Sequence, residues 1–421
     1  MSLTSKIVFS MFLGIFIGSL IKLSNDMGML NSLFYFIFYD ILANGIFDVI
    51  GKVFIASLRL AVVPLVFISL VCGVASISSN SQLRSISFKT FSLYLFTTAI
   101  AISLALIFAL LIGPGLNLDM SLPQSFTPKE SPGLKEVIIN IFPINPVAAM
   151  AEGNMLQIIV FAILFGLALK ATGDSAKNLK MSFERLNEVV LKLVTMLINL
   201  APYGVFSLLL TIFAVEGLGI VGNLAKYFLL VLIVLVFHGL VTYGIIFTTF
   251  TKLSFLTFLT KVRSLAVFAF STSSSSATMP VTIDTVQNKL GVNSSISSLT
   301  VPLGATINMD GTAIMQGVAT VFIAQAYNVD ITLTGYLMVI ITATLASIGT
   351  AGVPGVGLIM LAMVLQQVGL PVEGIALIIG VDRLLDMTRT AVNVCGDAMI
   401  STVVAKSEDE FSESIFENNS K

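Results

Sequence analysis

"STSSSSATMP", residues 271–280, lies in a chain of 421 residues that is 56% hydrophobic and 11% charged. Six hydroxyl side chains in succession, at 271–276, suit neither a regular membrane span nor a soluble core, and Pro280 closes the run. An average soluble domain carries roughly 25% charged residues, so the sequence around this polar island is of another class. Several apolar stretches exceed the ~20 residues needed to cross a bilayer as a helix, and the reading is an all-α polytopic membrane protein. A net charge of −1 points to no nucleic-acid partner. The two cysteines, Cys72 and Cys395, lie in separate apolar segments and form no disulfide framework. The first apolar segment, 7–23, lacks a small-residue cleavage site and reads as a span, not a removed signal peptide.

Hydropathy predicts ordinary spans at about 6–24, 46–79, 89–113, 145–169, 186–215 and 220–250. Lys and Arg concentrate in alternate connections: Arg84 and Lys89; Lys170, Lys177, Lys180 and Arg185; Lys252, Lys261 and Arg263. The intervening connections are poorer, with none at 24–45 and only Lys129 and Lys135 in 114–144. This asymmetry predicts a cytoplasmic N-terminus and an external 114–144 loop. The acidic tail after Lys406, SEDEFSESIFENNSK, is expected to be disordered in the cytoplasm. "GLGIVG" at 217–222 has the glycine spacing of a dinucleotide loop but lies between two spans with no preceding strand, so it is set aside. His238, the only histidine, is read as a hydrogen-bonded packing residue because one His and no Cys cluster cannot build a catalytic metal site.

From 253 to 406 the apolar pattern is broken repeatedly by Gly, Ser, Thr, Asn and Asp. Residues 264–288 are interrupted by the serine run, and 334–371 by "SIGTAGVPGVG". Each half is too short to span alone, and unpaired backbone groups in lipid cost several kcal/mol each. The expected geometry is a re-entrant hairpin buried in protein. Each hairpin is followed by a span with its own predicted interruption, "TINMDGTA" at 306–313 and "DMTRTAVNVCGD" at 386–397. Paired, interrupted apolar segments in corresponding halves point to a transporter site near the bilayer midplane.

On a helix, Asp382, Asp386, Arg389, Asn393 and Asp397 fall within an ~80° stripe, with Arg383 off it. Each Asp or Arg near a helix centre costs about 2.5–3.5 kcal/mol on insertion scales, so that face must be buried against protein, ions or solute. Asp310 and Asn308 add oxygen donors from another span. Such donors suit Na⁺ and other hard cations, an Arg fork suits a carboxylate, and an Asp one turn earlier suits an ammonium. An intramembrane enzyme using a serine of 271–276 is the other class considered. It fails because no His lies near in sequence to activate the hydroxyl.

These motifs, "SSSSATMP", "NMDGTA", "SIGTAGVPG" and "DMTRTAVNVCGD", with weaker likeness at "YLFTT" (94–98) and "NPVAAMAEGN" (145–154), resemble the dicarboxylate/amino acid:cation symporters, the glutamate-transporter homologues. The resemblance implies eight transmembrane helices plus two opposed re-entrant helical hairpins, an elevator-type mechanism and a homotrimer in the bacterial inner membrane. It implies scaffold spans 1–2 at 1–88, transport-domain span 3 at 89–113, and the external loop with scaffold spans 4–5 at 114–219. Span 6, hairpin 1, span 7, hairpin 2 and span 8 of the transport domain would occupy 220–406, with a cytoplasmic tail at 407–421. Arg389 would clasp a substrate side-chain carboxylate and Asp386 the amino group, with Thr390, Asn393 and Thr312 adding polar contacts. Ser274, Ser275, Val353 and Gly357 would line the α-carboxylate side. Three sodium sites are implied: Gly304, Asn308, Asn393 and Asp397; Thr306, Ser347, Ile348 and Thr350; and Tyr94, Thr97, Thr98, Asn308 and Asp310.

No covalent cofactor is implied; the partners would be Na⁺, an acidic amino acid and membrane lipid. Having both Asp386 and Arg389 favours L-aspartate or L-glutamate. Archaeal aspartate transporters carry an Arg where this chain has Ser273, and Arg383 is the candidate to replace that charge. Gln316 stands where potassium-coupled animal members have a glutamate, which argues against potassium countertransport. The alternative on the same fold is proton-coupled uptake of glutamate, a C4-dicarboxylate or cystine; Asp397 and the Thr97/Thr98 pair favour sodium.

Overall fold

Gly14 and Gly18 of "GIFIG" set a close contact between two helices. A methyl at Gly14 would lie 2.7 Å from the Phe206 carbonyl oxygen, and one at Gly18 would lie 2.5 Å from that of Leu210. Two glycines one turn apart let backbones approach to this distance, where packing rather than hydrophobic transfer holds helices together. The computed structural model describes residues 3–27, 36–75, 81–118, 120, 139, 142–348, 350 and 352–417. Apart from one isolated bridge, the described residues are helices and their connections.

In chain order these begin with α1 (Leu3–Asp26), α2 (Phe36–Ala75), α3 (Ser81–Ile112), α4 (Pro146–Glu152) and α5 (Met155–Ala171). Next come α6 (Lys177–Ile198), α7 (Ala201–Glu216), α8 (Val221–Phe237) and α9 (Tyr243–Thr251), the last two joined through a π-helical turn at His238–Thr242. The C-terminal part holds α10 (Phe255–Thr272), α11 (Ser275–Asp284), α12 (Ser294–Ile307), α13 (Asp310–Ala326), α14 (Leu333–Ser347), α15 (Val356–Gln367), α16 (Ile375–Ser407) and α17 (Glu413–Glu417). Five continuous helical stretches are long and apolar enough to cross a membrane: Ser5–Asp26, Phe36–Ala75, Ser85–Ile112, Ala201–Thr251 and Phe255–Thr272. Phe9, Phe12 and Phe16 lie on the outside of α1. An outward apolar face of this kind is what lipid solvates.

α1 lies along α7, and α2 packs on α5, α6 and α7. α16 is surrounded by α10, α12, α13 and α8, and α13 lies against α3. Arg59 of α2 pairs with Glu373 at 2.8 Å, just before α16.

Several expectations change. The segment 24–45 is not all connection, since a π-type helix over Phe36–Phe47 runs directly into the rest of α2. The expected 145–169 span is two helices, parted at Gly153, whose φ of +73° ends α4. The expected 186–215 span also divides: α6 stops at Ile198 and α7 starts at Ala201, with Pro202 in its first turn. Proline there has no N–H to continue the preceding helix, yet fits the start of a new one. The predicted interruption at 386–397 is absent, because α16 runs unbroken from Ile375 to Ser407. Its polar residues share one buried face and need no local unwinding. Most of the 114–144 loop lies outside the described residues.

The tail also departs from expectation. Residues 408–417 fold back onto the ends of the broken segments. Phe411 bridges to Val292, the Ser412 N–H donates to the Gly291 carbonyl at 2.8 Å, and the Asn293 N–H donates to the Glu410 carbonyl at 3.0 Å. Phe416 is buried against Phe247 and Phe411, while Lys261 caps the Ile415 carbonyl and lies over the Phe416 ring. Lys89 pairs with Glu408, and Lys406 with Glu413. Three apolar side chains in an acidic run suffice to order it, because the helix ends offer a matching apolar cleft. Phe416→Ala is expected to cost about 3–5 kcal/mol of stability, read as a lower unfolding midpoint of the purified protein in detergent.

Candidate functional site

The serine run becomes a turn. α10 ends at Ser273, held in the left-handed region at φ +50°, and Ser274 is extended and caps α11 by accepting the Ala277 N–H at 3.2 Å. Thr272 and Thr278 join their hydroxyls across the turn at 2.8 Å. Ser273, Ser274 and Ser275 are buried, whereas Ser276 is exposed. Pro280 does not close the turn, as the sequence suggested. It lies inside α11, where it removes one helical hydrogen bond.

The second break meets the first. The Gly352 carbonyl accepts the Ser274 hydroxyl at 2.6 Å and the Ser276 N–H at 3.2 Å. Residues 349 and 351 of this break lie outside the described residues. A third interruption, Asn308 and Met309 between α12 and α13, forms as the sequence predicts, and Asn308 is extended there. Its freed backbone is satisfied by α16, since the Gly311 N–H donates to Asn393 Oδ1 at 2.7 Å.

Arg389 is 1% exposed at the centre of the α16 stripe. Its Nη1 and Nη2 donate to the two carboxylate oxygens of Asp382 at 2.7 and 3.3 Å, and Nη2 also donates to Asp386 Oδ1 at 2.8 Å. The other oxygen of Asp386 accepts from Arg383 Nη1 at 3.2 Å and from the Gly355 N–H at 3.3 Å. Two guanidinium groups and two carboxylates thus form a formally neutral quartet. A methyl built on Gly357 would lie 3.4 Å from Thr312 Cγ2 and 3.5 Å from Arg389 Nη2, so α15 lies close against this group. The Thr390 hydroxyl donates to its own helix, to the Asp386 carbonyl at 2.8 Å. Of the sequence-predicted substrate set, the structure gathers Asp386, Arg389, Thr312 and Gly357, with Ser274 and Ser275 at the touching turns. Val353 is half-buried and shows no polar contact.

Two of the three expected cation sets also gather. Asn308 Nδ2 donates to the Asn393 carbonyl at 2.9 Å and to Asp397 Oδ1 at 2.8 Å, and the Asn308 N–H donates to the Gly304 carbonyl at 2.9 Å. A methyl at Gly304 would collide with Asp397 Oδ1 and the Tyr94 hydroxyl, so only glycine admits the carboxylate here. Asn308 Oδ1 is buried without a partner, an acceptor in want of a cation or a donor. This donor set of carbonyl, amide and carboxylate oxygens fits a hard cation. In the second gathering, Thr98 Oγ1 donates to Asp310 Oδ1 at 2.6 Å and also lies 2.8 Å from the Tyr94 carbonyl, and Thr97 Oγ1 reaches that carbonyl at 3.1 Å. The remaining set is joined only in part: the Thr350 N–H donates to the Ser347 carbonyl at 3.2 Å, and among the described residues no hydrogen bond links either to Thr306. Thr306 is exposed and bonds to Pro302 and Leu303, Ser347 bonds to Thr344, and Thr350 bonds to Ala346. No contact of Ile348 with Thr306 is among the described hydrogen bonds.

Sequence reading missed three partners. Tyr243 and His238 both donate to Asp310 Oδ2, at 2.8 and 3.0 Å, from the π-helical turn and the residue after it. His238 is therefore hydrogen-bonded as expected, but to a predicted ion-site carboxylate. Asp382 lies on the same stripe, two turns before Arg389, and spacing alone does not show that it pairs with that arginine.

The family model of the sodium:dicarboxylate symporter family matches residues 3–407. The chain belongs to that family. It is 36% identical to the proton/glutamate-aspartate symporter of Escherichia coli (strain K12), over 97% of this chain and 94% of that one. It is 33% identical to the proton/sodium-glutamate symport protein of Bacillus subtilis (strain 168), over 86% of each chain. The C4-dicarboxylate transport protein of Bacillus subtilis (strain 168) is 31% identical, over 86% of this chain and 88% of that one. The protein is thus a multi-pass membrane transporter.

Tyr243→Phe removes one of three donors to the buried Asp310 carboxylate, and is expected to cost about 1.5–3 kcal/mol of stability, measured by thermal unfolding in detergent.

Proposed function

We propose that this symporter carries L-aspartate or L-glutamate into the cell, driven by sodium. The observation that carries the reading is the buried quartet: Arg389 presents a fork for a carboxylate, and Asp386 beside it presents an acceptor for an ammonium. The turns at Ser274–Ser275 and at Val353–Gly357 would enclose the α-carboxylate. Sodium would bind at Gly304, Asn308, Asn393 and Asp397, and at Tyr94, Thr97, Thr98, Asn308 and Asp310. The set at Thr306, Ser347, Ile348 and Thr350 would form a third site. In this reading 264–288 and 334–371 are re-entrant hairpins, and the chain works as a homotrimer of elevator-type protomers in the inner membrane, N-terminus in the cytoplasm. Residues 1–88 and 114–219 would be scaffold, and 89–113 with 220–406 the moving domain. Coupling requires that ions and substrate together favour the state that crosses.

Proton coupling is the second reading. The Escherichia coli relative is named a proton symporter, and the Asp310 carboxylate is met by Thr98, His238 and Tyr243. Uptake of labelled L-aspartate into proteoliposomes decides between them. A sodium gradient at clamped pH is expected to drive accumulation; accumulation driven by a pH gradient alone, indifferent to sodium, would overturn sodium coupling.

Arg389→Ala is expected to lower uptake of acidic amino acids by about 100-fold or more, because truncating one member of a buried charge pair costs several kcal/mol. Unchanged uptake would remove Arg389 from the site. Asp310→Asn is expected to raise the sodium concentration for half-maximal uptake about tenfold, the scale of one lost charge-assisted ligand; an unaltered sodium response would place the ion elsewhere.

A further inference from the structure

The Arg389 guanidinium has two edges with donors, and the structure treats them differently. The outer edge, Nη1 with Nη2, is taken by both oxygens of Asp382, at 2.7 and 3.3 Å. The lateral edge, Nε with Nη2, holds one bond, from Nη2 to Asp386 Oδ1 at 2.8 Å. Nε itself is buried and has no partner. A buried guanidinium donor without an acceptor is costly, and a planar fork accepts a carboxylate on two adjacent nitrogens.

We propose that Asp382 is a positioning residue for substrate: by occupying the outer edge of Arg389, it turns the lateral Nε–Nη2 edge toward the incoming side-chain carboxylate. This rests on the reading that Arg389 receives that carboxylate. Substrate would displace Asp386 from Nη2 and fill the empty Nε, while Asp386 turns to the substrate ammonium and keeps its contacts with Gly355 and Arg383. Asp382 is 3% exposed and both of its carboxylate oxygens accept from Arg389, so nothing else in the quartet holds the outer edge. Without its charge, Asp386, one turn from Arg389, becomes the sole carboxylate competing for the fork. The guanidinium then rotates onto Asp386, and the substrate loses its berth.

The two effects of Asp382 are separable. It fixes the orientation of the fork, and it fixes how far the fork reaches toward the substrate. Asp382→Asn keeps the size of the side chain and removes the charge. Asp382→Glu keeps the charge and pushes the guanidinium one methylene toward the substrate.

The test is initial-rate uptake of L-aspartate and L-glutamate by the full-length protein in proteoliposomes, with the amount of folded protein measured by size exclusion before reconstitution. Asp382→Asn is expected to raise KM for L-aspartate by about 30-fold, the scale of a charged hydrogen-bond partner lost, with maximal rate within about threefold of the parent. Asp382→Glu is expected to restore uptake and to raise the ratio of KM for glutamate to KM for aspartate by about threefold or more, because the shortened berth favours the shorter acid. A role in folding alone would lower the amount of protein or the maximal rate and leave that ratio unchanged; that result overturns the proposal. If Asp382→Asn yields no folded protein, the ratio in Asp382→Glu decides. Arg389→Ala in the same assay separates the layers. Loss of uptake there with parental KM values in both Asp382 variants rejects only the positioning role, whereas retained uptake in Arg389→Ala rejects the assignment of Arg389 itself.

Discussion

A guanidinium held almost wholly out of water is the constraint on which this structure turns. An isolated buried charge costs several kcal/mol, and its burial is tolerated only where opposite charges and hydrogen bonds meet it at good geometry. Arg389 is met by Asp382 two turns before it and by Asp386 one turn before it, on the same helix. That spacing works only if α16 is regular throughout, which is why the helix runs unbroken across the very stretch whose polar composition suggested an interruption. The polar face that results has to be covered, and the breaks elsewhere in the chain supply the cover.

Those breaks are tolerable for the same reason. Unwound backbone at Asn308 and Met309 would be ruinous in lipid, but here it is turned toward α16, where Asn393 accepts the Gly311 N–H and Asn308 itself binds the Asn393 carbonyl and Asp397. The turn at Ser273–Ser274 and the one at Gly352 satisfy each other directly. A chain of 56% hydrophobic composition thereby acquires a polar interior whose donors and acceptors are mostly paired; Asn308 Oδ1, Arg389 Nε, His238 Nδ1 and Ser273 Oγ are among the buried atoms that are not. Each such atom is a hydrogen-bonding group left unmet in a buried setting, which costs free energy.

The remainder of the fold holds this polar core against apolar helices. Gly14 and Gly18 lock α1 to α7, and Gly380 of α16 lies close to Leu209 and Met11 of those two helices. The carboxyl-terminal strap ties the base of α10 and the end of the α11 segment to α16 through Phe411, Phe416 and Lys261. Arg59 and Glu373 join α2 to the entry of α16.

Much of this was legible without coordinates, and the reason is local periodicity. Apolar runs long enough for a bilayer, a polar stripe at helical spacing and a serine run that cannot cross lipid each follow from neighbouring residues. From these the sequence alone determined a helical membrane protein with a buried, oxygen-rich face on its last long helix. Tertiary structure decided the pairing. Tyr243 and His238 reach Asp310 across 67 and 72 residues, a distance that no spacing rule spans. The break at 199–200 and the ordering of the tail were hidden because each depends on what packs against it. Even the assignment of Asp382 to the outer edge of Arg389, though on one helix, needed the rotamers, since periodicity places two acids on a face but not the edge of the guanidinium each one takes.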